Sequence, residues 1–239
     1  MHLNVIDFPA SVALAQDRSL ADKAFVIAGS SSARSIVLDV SRRAREEGLS
    51  VGMSLSAAER RIRGLLVLQS DALSYAKANE EMEKIVSCYA PLVQNDSGGH
   101  LFLDLAGTGR LFGPHVDCAV RIRNEIVQKI GIEPTVAVAR NKLVAKVGTR
   151  SIRPDGITCI REGDEASFLA PQDALLLPGI GPAMARILSI AAFTEIGDIA
   201  SLSDEEARAL FGPRGRALRD AARGIDESPR WWMGGWRSG

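Results

Sequence analysis

Apolar and polar positions follow two different periods along this chain, and the change between them divides it. Leu101, Leu103 and Leu105 recur every second residue with Phe102 and Asp104 between them, which predicts a strand carrying its leucines on one face. Short apolar runs at 3–6, 24–28, 36–40 and 134–139 predict four more strands. Helical spacing governs Val116, Val120, Ile126, Val127 and Ile130, with Gly131 as a natural stop. Met82, Ile85 and Tyr89 share one side of a helix predicted over 70–89, and shorter helices are expected at 41–47 and 56–62. Strands and helices alternate to about residue 160, which argues for mixed α/β layers. From Asp164 onward the pattern supports only short helices. Ser203-Asp204-Glu205-Glu206 is a capping box that starts one of them, and Gly224 ends another that runs from about Pro213.

Composition narrows the class without naming an activity. The 239 residues are 46% hydrophobic and 24% charged, ordinary values for a soluble globular protein. No run approaches the roughly 20 apolar residues that a membrane-spanning helix needs. The opening MHLNVIDFPAS lacks the basic-then-apolar build of a secretory leader, so a cytoplasmic protein with no membrane partner is expected. Cys88, Cys118 and Cys159 stand far apart in no metal-ligand or redox spacing, and buried thiols are expected. Twenty-nine basic residues balance 29 acidic ones, so no net field draws nucleic acid. Arginines do cluster at 41–45, 59–63 and 214–223, either as solvated helix faces or as phosphate contacts. The turn GSSSARS at 29–35 does not match the phosphate-binding loop and reads as a connection. All three Trp lie in the closing RWWMGGWRSG, which suits an interaction peptide, a divergent tail or packing on the chain itself.

One turn has a readable binding mechanism. Leu175-Leu176-Leu177-Pro178-Gly179-Ile180-Gly181-Pro182 resembles a helix-hairpin-helix motif. Gly179 and Gly181 allow a tight turn that leaves backbone N–H groups at the start of the next helix, where partial positive charge can hold a DNA phosphate. Such contacts position DNA without reading its sequence. The rival reading is a plain turn between two packed helices.

From here the order of motifs resembles one family over about residues 3–229. Phe8–Val12 (FPASV) is similar to FFASV after the first strand of the Y-family DNA polymerases of DinB and UmuC type. Ser41–Arg45 followed by Gly48–Met53 resembles SYEAR…GV…M of their fingers, and Phe102-Leu103-Asp104 resembles the end of SLDEAYLD. Asn141-Lys142, Ala145-Lys146 and Arg153-Pro154-Asp155-Gly156 resemble NKxxAK…KPDG. Phe168–Pro171, the PGIG turn, Ile196–Asp198 and Gly224-Ile225-Asp226 then follow as in the thumb. Each motif is weak alone; their shared order is specific.

The resemblance also shows what is missing. Polymerisation needs two Mg²⁺ ions that activate the primer 3′-oxygen and neutralise the triphosphate, and Mg²⁺ is held by carboxylates. The family supplies one Asp from the first strand and an Asp-Glu pair from the SLDE strand. In this register the first falls on Asn4 and the pair on Gly99 and His100, so all three carboxylates are missing. Asp7 is expected on the opposite face of the first strand, and Asp96 on a flexible bend before Gly98-Gly99. Either Asp7 or Asp104 is a conceivable replacement ligand. Arg45 and Arg153 fall where the family contacts triphosphate. Arg42 replaces a triphosphate-contacting Tyr, and Pro9 replaces the aromatic that excludes ribonucleotides.

The resemblance therefore implies an α+β fold with a ferredoxin-like palm (1–20 and 70–165) and a small fingers insertion (21–69). An all-helical helix-hairpin-helix thumb (166–228) and a tail (229–239) follow, with no little-finger domain. The loss pattern is similar to that of ImuB-type accessory proteins, as is Asp104–Gly107 with Leu111–Gly113. It implies a pseudoenzyme of DNA repair that binds primer-template or damaged DNA, or another polymerase or repair protein, in translesion synthesis. Lys142, Lys146, Gly179, Ile180 and Gly181 would contact DNA, with no cofactor. The alternative is an active or weakly active translesion polymerase with a rearranged metal site, which would use Mg²⁺.

Overall fold

Two sheets and a helical segment organise the chain, whose structure, a computed structural model, describes residues 1–30, 32 and 34–226. In chain order it begins with β1 (His2–Asn4), α1 (Phe8–Gln16), β2 (Phe25–Ala28), β3 (Val37–Val40), α2 (Arg42–Glu46), α3 (Leu55–Arg61) and β4 (Leu66–Gln69). There follow α4 (Ala72–Ser87), β5 (Leu92–Ser97), β6 (His100–Asp104), α5 (Gly109–Phe112), α6 (His115–Ile130), β7 (Thr135–Val138), α7 (Lys142–Ser151) and β8 (Ile157–Cys159). Five short helices close it: α8 (Glu165–Leu169), α9 (Pro182–Ile190), α10 (Ile196–Ser201), α11 (Asp204–Phe211) and α12 (Gly215–Ala222).

The larger sheet has the order β5-β6-β1-β7-β8. With α4 and α6 on its first face, the succession β1-α4-β5-β6-α6-β7 is the split βαββαβ arrangement of ferredoxin-like layers. Leu3, Leu101, Leu103 and Val136 meet Met82, Val86, Cys118, Ile122 and Ile126 there in one core. The alternate positions His2, Asn4, His100, Phe102, Thr135 and Ala137 must face the other way. That second face is covered by α7, whose Gly148 lies so close that an added Cβ would come within 2.8 Å of the Ala137 Cβ.

The smaller sheet, β3-β2-β4, is inserted between α1 and α4 and packs Val26, Val37 and Val40 against Ala44, Leu55 and Ala58 of α2 and α3. Helix α7 also serves the third core: Val144 and Val147 join Leu169, Leu188, Ile199 and Phe211 of the helical segment. Its N-terminus is clasped by the end of the described chain. The Asn141 side chain accepts from Val144 N at 2.9 Å and donates to the Gly224 carbonyl at 2.8 Å, while Asp226 Oδ2 accepts from Leu143 N at 3.1 Å.

Several expectations need correction. β1 ends at Asn4 rather than Ile6, because the chain turns there into α1, a helix the sequence pattern does not announce. β4, β5 and β8 carry no clear alternation, and hydrogen bonding to neighbouring strands defines them instead. The expectation of buried thiols holds for Cys118 alone: Cys88 caps the exposed end of α4 and Cys159 ends the edge strand β8. Among the described residues no helix is long and apolar enough to cross a membrane. The Trp-containing segment at 230–239 lies outside the described residues.

Candidate functional site

The three positions at which the resemblance expects metal carboxylates meet at one edge of the larger sheet. Asn4 and His100 are directly opposed across the antiparallel β1–β6 pair, and Gly99 turns the hairpin between β5 and β6. Gly99 adopts φ +81°, donates its N–H to Asn79 Oδ1 at 3.0 Å and accepts from Val5 N at 2.8 Å. A Cβ built on it would stand 2.9 Å from the Phe8 ring, so this backbone leaves no room for a carboxylate there.

Asn4 is only 1% exposed, and neither its amide oxygen nor its amide nitrogen has a hydrogen-bond partner. Nδ1 of His100 and Nε2 of His2 are likewise buried without partners. The His2 ring lies 5.7 Å from that of His100 and 4.3 Å from Phe102, stacked on both. Its Nδ1 stands 2.8 Å from Thr149 Oγ1, whose hydroxyl donates to the Lys146 carbonyl. With that proton committed, His2 Nδ1–H must be the donor, which leaves Nε2 as an acceptor. Burial is the main cause that pushes the His2 pKa down to about 2, with His100, Lys146 and Arg150 adding to it. His100 is also lowered, by burial first and then by Lys146, Arg153 and Arg150 against the opposing pull of Asp96. Both imidazoles are neutral at pH 7.

The acids near this edge are engaged elsewhere. Asp7 is not on the strand at all: it occupies the left-handed N-cap position of α1 (φ 49°) and forms an ion pair with Arg45. Asp96 sits in β5 rather than on a free bend, with its carboxylate 3.0 Å from Lys146 Nζ. Asp104 shares a face with His100 but lies four residues along β6, about 13 Å away, where it accepts from Ala106 N. Among the described residues no three His, Cys, Asp or Glu side chains group as metal ligands. An amide, a glycine and a neutral imidazole within reach of three cations do not fit a hard divalent ion.

The remaining candidates separate into distinct places. Lys142 and Lys146 lie over the Phe102 ring at 5.8 and 5.7 Å, and Lys142 Nζ donates to Gln94 Oε1 at 2.5 Å. Arg45 belongs to the Asp7 cluster, together with the buried Asp39 that accepts from Ala10 N at 3.0 Å. Arg42 pairs with Glu46 on the exposed face of α2, and Pro9 stands in the first turn of α1, where a missing N–H costs nothing. Arg153 is exposed and acts electrostatically on His100. Gly179 (φ +96°) and Gly181 make the turn into α9, preceded by a single 3₁₀ turn at Ala174–Leu176 rather than a helix. Arg150 Nη1 donates to Leu176 O at 2.7 Å, so α7 links this turn to the sheet face. Sequence reasoning missed His2, Asp39 and Arg150. Only the i, i+2 relation of His2 to Asn4 and the i, i+4 relation of Arg150 to Lys146 signal any of them. A cleft of about 960 Å³ opens beside Phe102 and Lys142 and is bordered also by Asp104, Glu165 and Asp226.

The sequence matches the impB/mucB/samB family over residues 3–150. DNA polymerase IV of Dehalococcoides mccartyi (strain CBDB1) is 29% identical over 229 residues, which are 96% of this chain and 59% of that protein. DNA polymerase IV of Streptomyces coelicolor is 32% identical over 238 residues, 96% of this chain and 48% of that one. The chain thus spans about half to three-fifths of these relatives. Among solved structures, DinB from Sulfolobus solfataricus superposes with a TM-score of 0.87 at 24% identity, over 96% of this chain and 68% of that one. An insertion ternary complex of Dbh DNA polymerase gives 0.84 at 24% identity, over 95% and 68%. At that identity the likeness is one of fold.

Proposed function

This chain belongs to the impB/mucB/samB family, the Y-family DNA polymerases, and from that premise we propose that it is a non-catalytic member that binds DNA or a repair partner as an accessory of translesion synthesis. The pairing of Asn4 with His100, beside a glycine, carries the reading. Two-metal phosphoryl transfer draws its rate from cations held by carboxylates at the reacting oxygens. A neutral, orphaned amide and a neutral imidazole cannot supply that field. This loss pattern is similar to that of ImuB-type accessories. Residues 1–20 and 70–165 would form the palm, 21–69 the fingers and 166–228 a helix-hairpin-helix thumb.

DNA contact would come from the exposed backbone at Gly179–Gly181, from Lys142 and Lys146, and from Arg153. Arg45 contributes less, because Asp7 already neutralises it. With zero net charge, binding should be weak and should fall steeply with salt.

Single-nucleotide primer extension on intact and lesion-bearing templates, with Mg²⁺ and then Mn²⁺, tests the reading. The expected result is no extension at protein concentrations where the same samples bind the primer-template. Metal-dependent extension abolished by Asp7→Ala would overturn it.

A further inference from the structure

We propose that the buried polar cluster of Asn4, His100 and His2, on which Lys146, Arg150 and Arg153 act, forms a pit that binds a phosphate-type oxyanion directly, without a divalent cation. The disagreement between this donor set and a metal site is where the inference starts. Native structures rarely leave buried polar atoms unpaired. Four gather here: both amide atoms of Asn4, Nδ1 of His100 and Nε2 of His2. Asn4 and His2 are each 1% exposed, so bulk water does not satisfy them. They are neighbours, because Asn4 opposes His100 and the two imidazole rings are 5.7 Å apart.

The charge around the pit has one prevailing sign. Lys146, Arg150 and Arg153 all act on His100, and Asp96 opposes them. Asp96 pairs with Lys146, which leaves the two arginines in excess. Neutral N–H donors in the field of fixed cations form an anion receptor, the reverse of the field that a metal pair would create. The acceptors in the pit, His2 Nε2 and Asn4 Oδ1, suit the hydroxyl of a hydrogen phosphate. Where the family's fold would hold two cations and a triphosphate, this chain would hold the phosphate by itself.

The inference deepens the non-catalytic reading and has its own test. Inorganic pyrophosphate is titrated calorimetrically into the whole chain in EDTA, then with excess Mg²⁺. Saturable binding in EDTA is expected, weakened at least tenfold in Lys146→Gln and in Asn4→Leu. Asn4→Leu should melt no lower than the wild type, because it removes two unpaired polar atoms. Circular dichroism then separates loss of the site from loss of the fold. No saturable binding in EDTA, binding that appears only with Mg²⁺, or equal binding by both variants would each overturn the proposal. A parallel titration with primer-template DNA identifies the source of the oxyanion. Equal loss for DNA in the two variants assigns the pit to the nucleic-acid backbone, and loss for pyrophosphate alone assigns it to free nucleotide. Primer extension would overturn the non-catalytic reading, whereas absent pyrophosphate binding would overturn this inference and leave that one standing.

Discussion

Asn4 and His100 stand directly opposite each other on neighbouring antiparallel strands, and the Asn4 amide is buried with no partner for either polar atom. The pairing places any two side chains at these positions on one face. The double variant Asn4→Asp, His100→Glu therefore brings two carboxylates together at the sheet edge. It should bind Mn²⁺ at least tenfold more tightly than the wild type, measured by electron paramagnetic resonance of free Mn²⁺. Equal affinity would show that β1 and β6 do not present these positions together.

A third carboxylate meets a backbone obstacle. At Gly99 an Asp must adopt φ +81° and place its Cβ 2.9 Å from the Phe8 ring. Left-handed strain and overpacking each cost about 1–3 kcal/mol. Gly99→Asp and Gly99→Ala should both lower stability by roughly 2 kcal/mol or more in urea unfolding. Gly181→Ala, at a position with ordinary φ and nothing within 4 Å, should change it little.

The clasp on α7 predicts two separable losses. Asn141 caps the helix with its oxygen and holds the Gly224 carbonyl with its nitrogen. Asn141→Ala loses both and should destabilise by about 1–2 kcal/mol, the usual size of a cap deletion. Asn141→Asp keeps the acceptor and loses the donor, so it should retain part of that stability. Chemical denaturation of the three proteins checks the order.

Asp39 links the inserted sheet to α1 through Ala10 N, and burial raises its pKa to about 6, with the nearby Asp7 adding to the effect. The folded chain thus binds a proton more tightly than the unfolded chain, whose carboxyl titrates near 3.8. By linkage, stability from this group is fully present below that value and is lost as pH rises toward about 6. Asp39→Asn removes this dependence. The difference in unfolding free energy between variant and wild type should shift toward the variant from pH 4 to pH 6, by at most about 3 kcal/mol. A difference that stays constant over this range would exclude a raised pKa.

The leucine face of β6, the long helices α4 and α6 and the capping box of α11 were legible in the sequence, whereas α1, β4, β5, α7 and β8 were not. Each legible feature depends on neighbours within one or two turns or on strict alternation, which a linear pattern carries. Asn4, Gly99 and His100 could be singled out too, since that needs only residue identity in a motif register. What surrounds them was not. That Asp7 turns to Arg45 follows from β1 ending two residues early and α1 starting in a left-handed cap. That Asp96 neutralises Lys146 follows from β5 pairing with β6 beneath α7. The collection of unpaired polar atoms on which three cations act arises because α7 packs through Gly148 onto the face that carries His2, Asn4 and His100. These partners are separated by up to about 150 residues along the chain. Only close packing at long sequence separation brings them together, and local pattern has no term for it.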